Sequence, residues 1–451
     1  MTEPAYSGRL TPDASESFRP IQYLGNKTRV LEALNQVVTD LVPPGALVGD
    51  PFAGSGVVAR RISETQRVRA GDIQEYSRVL TSALLRPAPP SAEQRQHLLA
   101  LVEAHYSALH EPAVARVLQL EKDAIGRSLA LDATALADMV ERGSFLVASS
   151  TAAATGDLLH TALRAAATAL PLDVGSVMTH VYAGPYFGYE QALRLDSLRS
   201  AIATLPSEQR DTAVAALLGA ASECVSTIGS HFAQPLRARA KDGSVKVSAL
   251  RRAAKKRQLD PWQAFDRLLD RYTGVSPVGL SSHVVRSDYR AFLAEAPEDM
   301  ALVYADPPYT RDHYSRFYHV LETLAQGDVP GITGETRGRA FIHSRALYRQ
   351  ERHQSPFCIK SQVIGAFNAL FDGVKQRGIP LVLSYSPYEV GTAARPHPRL
   401  VTIQQLADMA SRHFKRVRVQ DAGTLVHSKF NQSAVNVEAI GAAEVFVVAQ
   451  P

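Results

Sequence analysis

The chain has 451 residues, 45% of them hydrophobic and 21% charged, with a formal net charge of +5 and only two cysteines. That length suffices for one large or two ordinary domains around a sizeable core. No apolar run approaches the roughly 18 residues that span a bilayer, no signal-like segment opens the chain, and Cys224 and Cys358 stand far apart outside any metal-ligand spacing, so a cytoplasmic protein with buried thiols and no bound metal is expected.

Residues 1–19 are polar and read as a flexible N-terminus. From Val30 the apolar positions Val30, Leu31, Leu34, Val37, Val38 and Leu41 keep helical spacing until Pro43-Pro44-Gly45 stops them. Ala46-Leu47-Val48 reads as a short buried strand that opens into Asp50-Pro51-Phe52-Ala53-Gly54-Ser55-Gly56, and Val68 to Ala70 as a second that ends at Gly71-Asp72. This is the strand, glycine turn, helix, strand, acid order of a nucleotide-binding βαβ unit. Residues 81–280 are Ala-rich and mainly helical in pattern, broken by Pro87-Ala88-Pro89-Pro90 and by the aromatic stretch Val181 to Tyr189. Within them, His231 to Gln258 carries nine cations against the single acid Asp242, so the rest of the chain is mildly acidic. A basic segment on an acidic body fits a polyanion held in one place.

Strand-like runs return near Val284-Val285, which leads to Asp288, and at Leu302 to Ala305. After an aromatic helix with Tyr314, Phe317, Tyr318, Leu321 and Leu324 on one face, further strands are predicted at Pro380–Ser384, Arg416–Val419 and Glu444–Val448. A sheet split by a large insertion is therefore expected: a first core part over 20–80, the insertion over 81–280 and a second core part over 281–451.

The strand Ala301 to Ala305 ends in Asp306-Pro307-Pro308-Tyr309. An exocyclic amine of a base is a poor nucleophile because its lone pair is delocalised into the ring. A carboxylate and a free carbonyl that accept both amine hydrogens favour the localised lone pair, at roughly 1.5–3 kcal/mol for each charged hydrogen bond. Asp306 and the Pro307 carbonyl are the two acceptors; the paired prolines fix φ and carry no N–H, so that carbonyl is available to a ligand. Tyr309 offers a face for stacking on the base.

Gly54-Ser55-Gly56 with Ala59 fits G-x-G-x-x-A, which alone also suits a dinucleotide. A pyrophosphate would be repelled by Asp50 beside the glycines, whereas that carboxylate matches the ammonium and sulfonium of S-adenosylmethionine. Asp72, with its neighbour Ile73, ends the second strand where an acid binds ribose hydroxyls. Upstream, Lys27 is placed to pair with the methionine carboxylate and Tyr23 to flank the cofactor.

Four elements in this order, Tyr23-Leu24-Gly25-Asn26-Lys27, Asp50 to Gly56, Asp72 and Asp306 to Tyr309, resemble the Dam-like, D12-class N6-adenine DNA methyltransferases, particularly the long-insertion members that accompany restriction systems. The resemblance covers roughly 20–80 and 280–390. It implies a class I methyltransferase core, with a mostly parallel seven-stranded sheet, one antiparallel strand and an inserted helical target-recognition domain. It implies S-adenosylmethionine as cofactor and duplex DNA as substrate, with the target base flipped out against Tyr309. A cognate endonuclease or defence proteins are possible partners of what is expected to be a monomer. Tyr23, Gly25, Asn26, Lys27, Asp50, Pro51, Phe52, Ala53, Gly54, Ser55, Gly56, Asp72, Ile73, Asp288 and Tyr289 form the expected cofactor shell, in which Asp288 bonds the adenine amine and Tyr289 has packing as its more ordinary role. The DNA-contact candidates are Arg251, Arg252, Lys255, Lys256, Arg257, Tyr186 and Tyr314, with the stretches Val181 to Tyr189 and His231-Phe232-Ala233-Gln234, for both of which a buried aromatic cluster is the competing reading. Three alternatives stay open: an N4-cytosine methyltransferase, an RNA N6-adenine methyltransferase, and a DNA-binding regulator with a vestigial cofactor fold.

Overall fold

A computed structural model describes residues 21, 27, 30–151, 156–308, 313–338, 340–386, 399–422 and 444–451. Seven strands form its central sheet: β1 (Leu47–Asp50), β2 (Arg67–Asp72), β3 (Ser282–Arg286), β4 (Met300–Ala305), β5 (Leu381–Tyr385), β6 (Arg416–Asp421) and β7 (Val445–Gln450). Their order is β3-β2-β1-β4-β5-β7-β6, with β7 antiparallel to both neighbours and every other pairing parallel. This is the class I methyltransferase architecture expected from the sequence. Its central strands read as near-continuous apolar runs because helices cover both faces.

Side-chain alternation along β4 shows how. Leu302 and Tyr304 join the core on one face, with the helices Leu31–Leu41, Glu75–Leu85 and His319–Gln326. Met300, Val303 and Ala305 join the other, with the helices Tyr289–Ala294, Val363–Gln376 and Ile403–Ala410. At the sheet margin β6 is largely exposed and carries Arg416 and Arg418, charges that discourage edge-to-edge pairing. No described helix is long and apolar enough to cross a membrane.

The middle of the chain is helical as predicted, with nine α-helices among the described residues from Ala92–Leu109 to Pro261–Thr273. Its first helix starts on a capping box after the proline break, Ser91 Oγ accepting from Gln94 N at 3.2 Å while Gln94 Oε1 accepts from Ser91 N at 2.8 Å. The helix Glu75–Leu85 crosses the boundary expected at residue 80. The insertion has no core of its own: its buried side chains merge with those of the first sheet face. The single aromatic helix predicted after the acid-Pro-Pro turn is two, Tyr314–Phe317 and His319–Gln326, broken where Tyr318 leaves helical geometry at φ −123° and ψ 13°.

Candidate active site

In an open parallel sheet the ligand crevice lies beyond the carboxyl ends of the strands, where the strand order reverses. Here that point is the β1/β4 junction: β1 leads outward to β2 and β3, and β4 leads the opposite way to β5. Pairing of β1 with β4, in the register Gly49↔Val303, sets the glycine turn beside the acid-Pro-Pro turn although some 250 residues separate them. One cleft is lined by Asp50 to Ser55, Asp72, Ile73, Asp288, Tyr289, Asp306, Pro308, Tyr314 and Lys27, so the predicted site residues from four strand ends and the upstream segment meet. Tyr23, Gly25, Asn26 and Tyr309 lie outside the described residues.

Backbone bonds lock the glycine turn to the end of β2. Ala53 N donates to Gly71 O at 2.9 Å, Gly54 N to Asp72 Oδ2 at 3.1 Å, and Ser77 Oγ to Gly54 O at 2.6 Å. Gly56 does not line the cleft. Its φ is +79°, and a Cβ there would stand 2.7 Å from Thr81 Cα, so its glycine serves the turn and the close approach of the helix Glu75–Leu85.

Asp50 is 1% exposed; its Oδ1 accepts from Phe52 N at 3.1 Å, and its buried Oδ2 has no partner among the described residues. Burial, with Asp306 and Asp72 nearby, pushes its carboxyl up to about 8. A buried, unpartnered carboxylate oxygen in a cleft calls for a cationic ligand. Asp72 Oδ1 accepts from Gln74 N at 2.9 Å, and burial pushes that carboxyl up to about 6. Each Asp72 oxygen accepts one of these backbone N–H bonds and keeps acceptor capacity for a hydroxyl. Asp288 caps the helix Tyr289–Ala294, accepting from Arg290 N at 2.9 Å.

Asp306 ends β4 with its side chain 20% exposed, and its Oδ1 lies 3.0 Å from Lys27 Nζ. Pro307 is buried, and no donor among the described residues reaches its carbonyl. The Lys27 ammonium also lies 2.6 Å from Glu444 Oε1, so it stands between two protein carboxylates, a geometry the sequence did not suggest.

Several lining residues were missed. Phe357 packs edge-on to Phe52 at 5.5 Å and tilted against Tyr289 at 5.2 Å, forming an apolar wall with His353, Ser355 and Pro356 beside it. No motif marks this segment. Glu444 did carry a signal: an acid leading directly into a buried apolar strand. Tyr289 both lines the cleft and packs, its ring stacked on Phe52 at 5.6 Å.

Three DNA-contact candidates, Tyr186, Phe232 and Arg257, are corrected; Phe232 is buried against Tyr186 and Phe187. Tyr186 is fully buried and donates from its hydroxyl to Ala346 O at 2.8 Å. Tyr182 and Tyr186 pack on His319, and Tyr182 OH lies 3.2 Å from Thr323 Oγ1, so the aromatic stretch joins the insertion to the helix after the acid-Pro-Pro turn. Arg257 is likewise buried, with Nη1 2.7 Å from Glu121 Oε1, and a second nitrogen donates to Gly184 O. Lys256 is half-buried and donates to Glu223 O at 2.8 Å. The basic helix Val247–Lys256 turns Leu250, Ala253 and Ala254 inward, leaving Arg251, Arg252 and Lys255 exposed. The helical period thus divides one charge run between structural and solvent roles.

Arg257→Ala is expected to destabilise the fold by about 3–5 kcal/mol, because it strands Glu121 as an unpaired buried charge. Denaturant melts test this; a loss under 1 kcal/mol would contradict the assignment.

The chain matches the family described as D12 class N6 adenine-specific DNA methyltransferase over residues 23–121 and 253–361. The cofactor turn lies in the first segment and the acid-Pro-Pro turn in the second. The type II methyltransferase M.FokI of Planomicrobium okeanokoites is 32% identical over 130 residues, 28% of this chain and 18% of that protein. The modification methylase LlaI of Lactococcus lactis subsp. lactis is 30% identical over 159 residues, 34% of this chain and 21% of that protein. The chain thus spans about a fifth of the length of these curated relatives.

Proposed function

We propose that this chain, which matches the D12 class of N6 adenine-specific DNA methyltransferases over its cofactor and acid-Pro-Pro turns, methylates N6 of an adenine flipped out of double-stranded DNA, in restriction–modification or phage defence. The observation that carries this reading is the shared cleft: Asp306 opens into the same space as Asp50, Asp72 and Asp288. S-adenosylmethionine, when bound, supplies an electrophilic methyl group. Asp50 Oδ2 would accept from its ammonium and Asp72 from its ribose hydroxyls, and Asp288, Phe52, Tyr289 and Phe357 would hold its adenine.

Asp306 and the Pro307 carbonyl accept the two hydrogens of the target amine. They localise its lone pair toward the methyl group, and one of them is the nearest acceptor for the proton the alkylated nitrogen must shed. Tyr314 borders the cleft beside them and is available to the extruded base with Tyr309.

The start of the basic segment packs against the element that carries Tyr314. Phe232 N donates to Phe317 O at 3.2 Å, tying the start of that segment to the short helix that carries Tyr314, and Tyr348 OH donates to Ala233 O at 2.5 Å. Arg251, Arg252 and Lys255 follow as solvent-facing cations suited to phosphates.

Incubation of the protein with duplex DNA and a methyl-labelled donor, followed by nucleoside mass analysis, tests the reading. Labelled N6-methyladenine is expected. N4-methylcytosine, label in structured RNA alone, or no transfer would each refute it. The triple variant Arg251→Ala, Arg252→Ala, Lys255→Ala should weaken duplex binding across unrelated sequences and reduce the slope of log affinity against log salt by up to about 2.7, as three lost phosphate contacts require. An unchanged slope in a fluorescence-anisotropy titration would move the DNA path off this helix.

A further inference from the structure

Buried ionic groups are costly unless each is paired, so a cluster of them next to a reacting group invites a reason. Lys27 is 5% exposed, Glu444 2% and Ser384 not at all. Lys27 Nζ lies 3.0 Å from Asp306 Oδ1 and 2.6 Å from Glu444 Oε1, and the same Glu444 oxygen accepts from Ser384 Oγ at 2.8 Å.

Strand register explains the assembly. Ala305 faces Leu383 across the β4/β5 pair, which puts Asp306 and Ser384 at neighbouring strand ends. Tyr385 faces Val445 across the β5/β7 pair, which puts Glu444 at the start of the third strand in the row. Lys27 reaches into this row from the segment before the helix Leu31–Leu41.

We propose that Lys27, Glu444 and Ser384 form a positioning relay for Asp306: Ser384 and Lys27 fix Glu444, Glu444 fixes the ammonium, and the ammonium holds Oδ1 of Asp306 so that the carboxylate stays ionised with its other oxygen toward the cleft. The inference rests on the reading of Asp306 as acceptor for the target amine. It replaces the role expected for Lys27 at the cofactor carboxylate, because the ammonium sits between two carboxylates of the protein itself.

Charge accounts for the need. Among the described residues, the charged or titratable groups facing Asp306 are Lys27 from the upstream segment, Glu444 at the head of β7, Asp50 at the end of β1 and the Tyr304 hydroxyl on β4. Burial and Glu444 favour a protonated Asp306, raising it to about 7, and Lys27 is the group that opposes them. A protonated carboxyl would offer the amine a donor where an acceptor is required. Without Lys27, Asp306 would be largely neutral at physiological pH and the transfer would slow. Glu444 holds the lysine in place at the cost of a second anion, so its charge and its position have opposite effects on Asp306.

These opposite effects separate a relay from a merely structural cluster. In ligand-free protein carrying carboxyl-labelled aspartate, the Asp306 signal, assigned by its loss in Asp306→Asn, should titrate at least one pH unit higher in Lys27→Met than in the wild type and at lower pH in Glu444→Gln. Single-turnover methylation should follow: the acid limb moves up in Lys27→Met, with about a tenfold or greater loss at pH 7 that recedes toward pH 9, and down in Glu444→Gln. Lys27→Arg should keep the limb near its wild-type position. If Asp306 titrates alike in the wild type, Lys27→Met and Glu444→Gln, the relay is refuted even where methylation is normal. Should Lys27→Met fail to fold, the direction of the Glu444→Gln shift alone decides, since a structural acid would leave the titration in place. Absence of transfer by the wild type would refute the proposed function while the titrations still answer for the relay.

Discussion

Asp306→Asn is expected to lower the single-turnover rate of methyl transfer by about 100–1000-fold while cofactor affinity changes less than about threefold. The loss has two sources. Removing a charged acceptor forfeits about 1.5–3 kcal/mol, or roughly 10–150-fold in rate if the bond strengthens in the transition state. The substituted amide also presents N–H groups in place of an anion, either to the amine or to Lys27 at 3.0 Å. Affinity is spared because the groups available to the cofactor sit elsewhere: Asp50 ends β1, Asp72 ends β2, and Asp288 follows β3. Rapid-quench methylation and calorimetry on one preparation separate the two quantities. A rate within tenfold of the wild type would remove Asp306 from the reaction, and a parallel loss of cofactor affinity would reassign it to binding.

The sheet was legible in the sequence because its central strands are buried on both sides. Leu47-Val48, Val68 to Ala70, Leu302 to Ala305 and Val445 to Val448 stand out as short apolar runs, and each site-bearing turn follows directly from one of them. The acids at 50, 72 and 306 were therefore readable from strand endings, whereas Asp288, beyond the half-exposed β3, drew its role from the family resemblance. What strand endings cannot show is which strands are neighbours beyond the first βαβ unit. Glu444 enters the cluster only because β7 inserts antiparallel beside β5, and Phe357 because its segment folds back over Phe52.

The helical insertion misled in one direction. A charge run and an aromatic run look alike in sequence whether they face solvent or interior, and the deciding partners, Glu121 for Arg257 and Ala346 for Tyr186, lie 136 and 160 residues away. On the helix Val247–Lys256 the inward face is claimed by Leu250, Ala253 and Ala254, which leaves Arg251, Arg252 and Lys255 to solvent.

Binding of S-adenosylmethionine should release protons, and Asp50→Asn should suppress that release and weaken binding about 10–100-fold at pH 8. Asp50 is held at about 8 by burial in the ligand-free cleft, so near neutrality it is mostly protonated. An ammonium placed against it favours the carboxylate, and the proton leaves as the ligand enters. Affinity therefore rises with pH below about 8, by as much as tenfold from pH 6 to 7. The ligand's own α-amino group, at about 7.7–8.0, stays cationic over that interval, so the dependence belongs to the protein. Stability changes in the opposite sense. A carboxyl raised in the folded state contributes stability that is full below its unfolded value of 3.8 and is lost as pH rises through about 8. The ligand-free protein should thus lose stability between pH 4 and 8, the bound protein should lose less, and the gain in melting temperature on binding should widen with pH. In Asp50→Asn this widening should shrink and the ligand-free melting temperature at pH 8 should rise above that of the wild type. Asp72 and Asp306 contribute residual pH dependence, at about 6 and about 7, so the difference between wild type and variant isolates Asp50. Calorimetry in buffers of unequal ionisation enthalpy counts the protons directly. Equal proton release by wild type and variant would show that the unpartnered oxygen of Asp50 does not meet the cation, and the cofactor would have to be turned in the cleft.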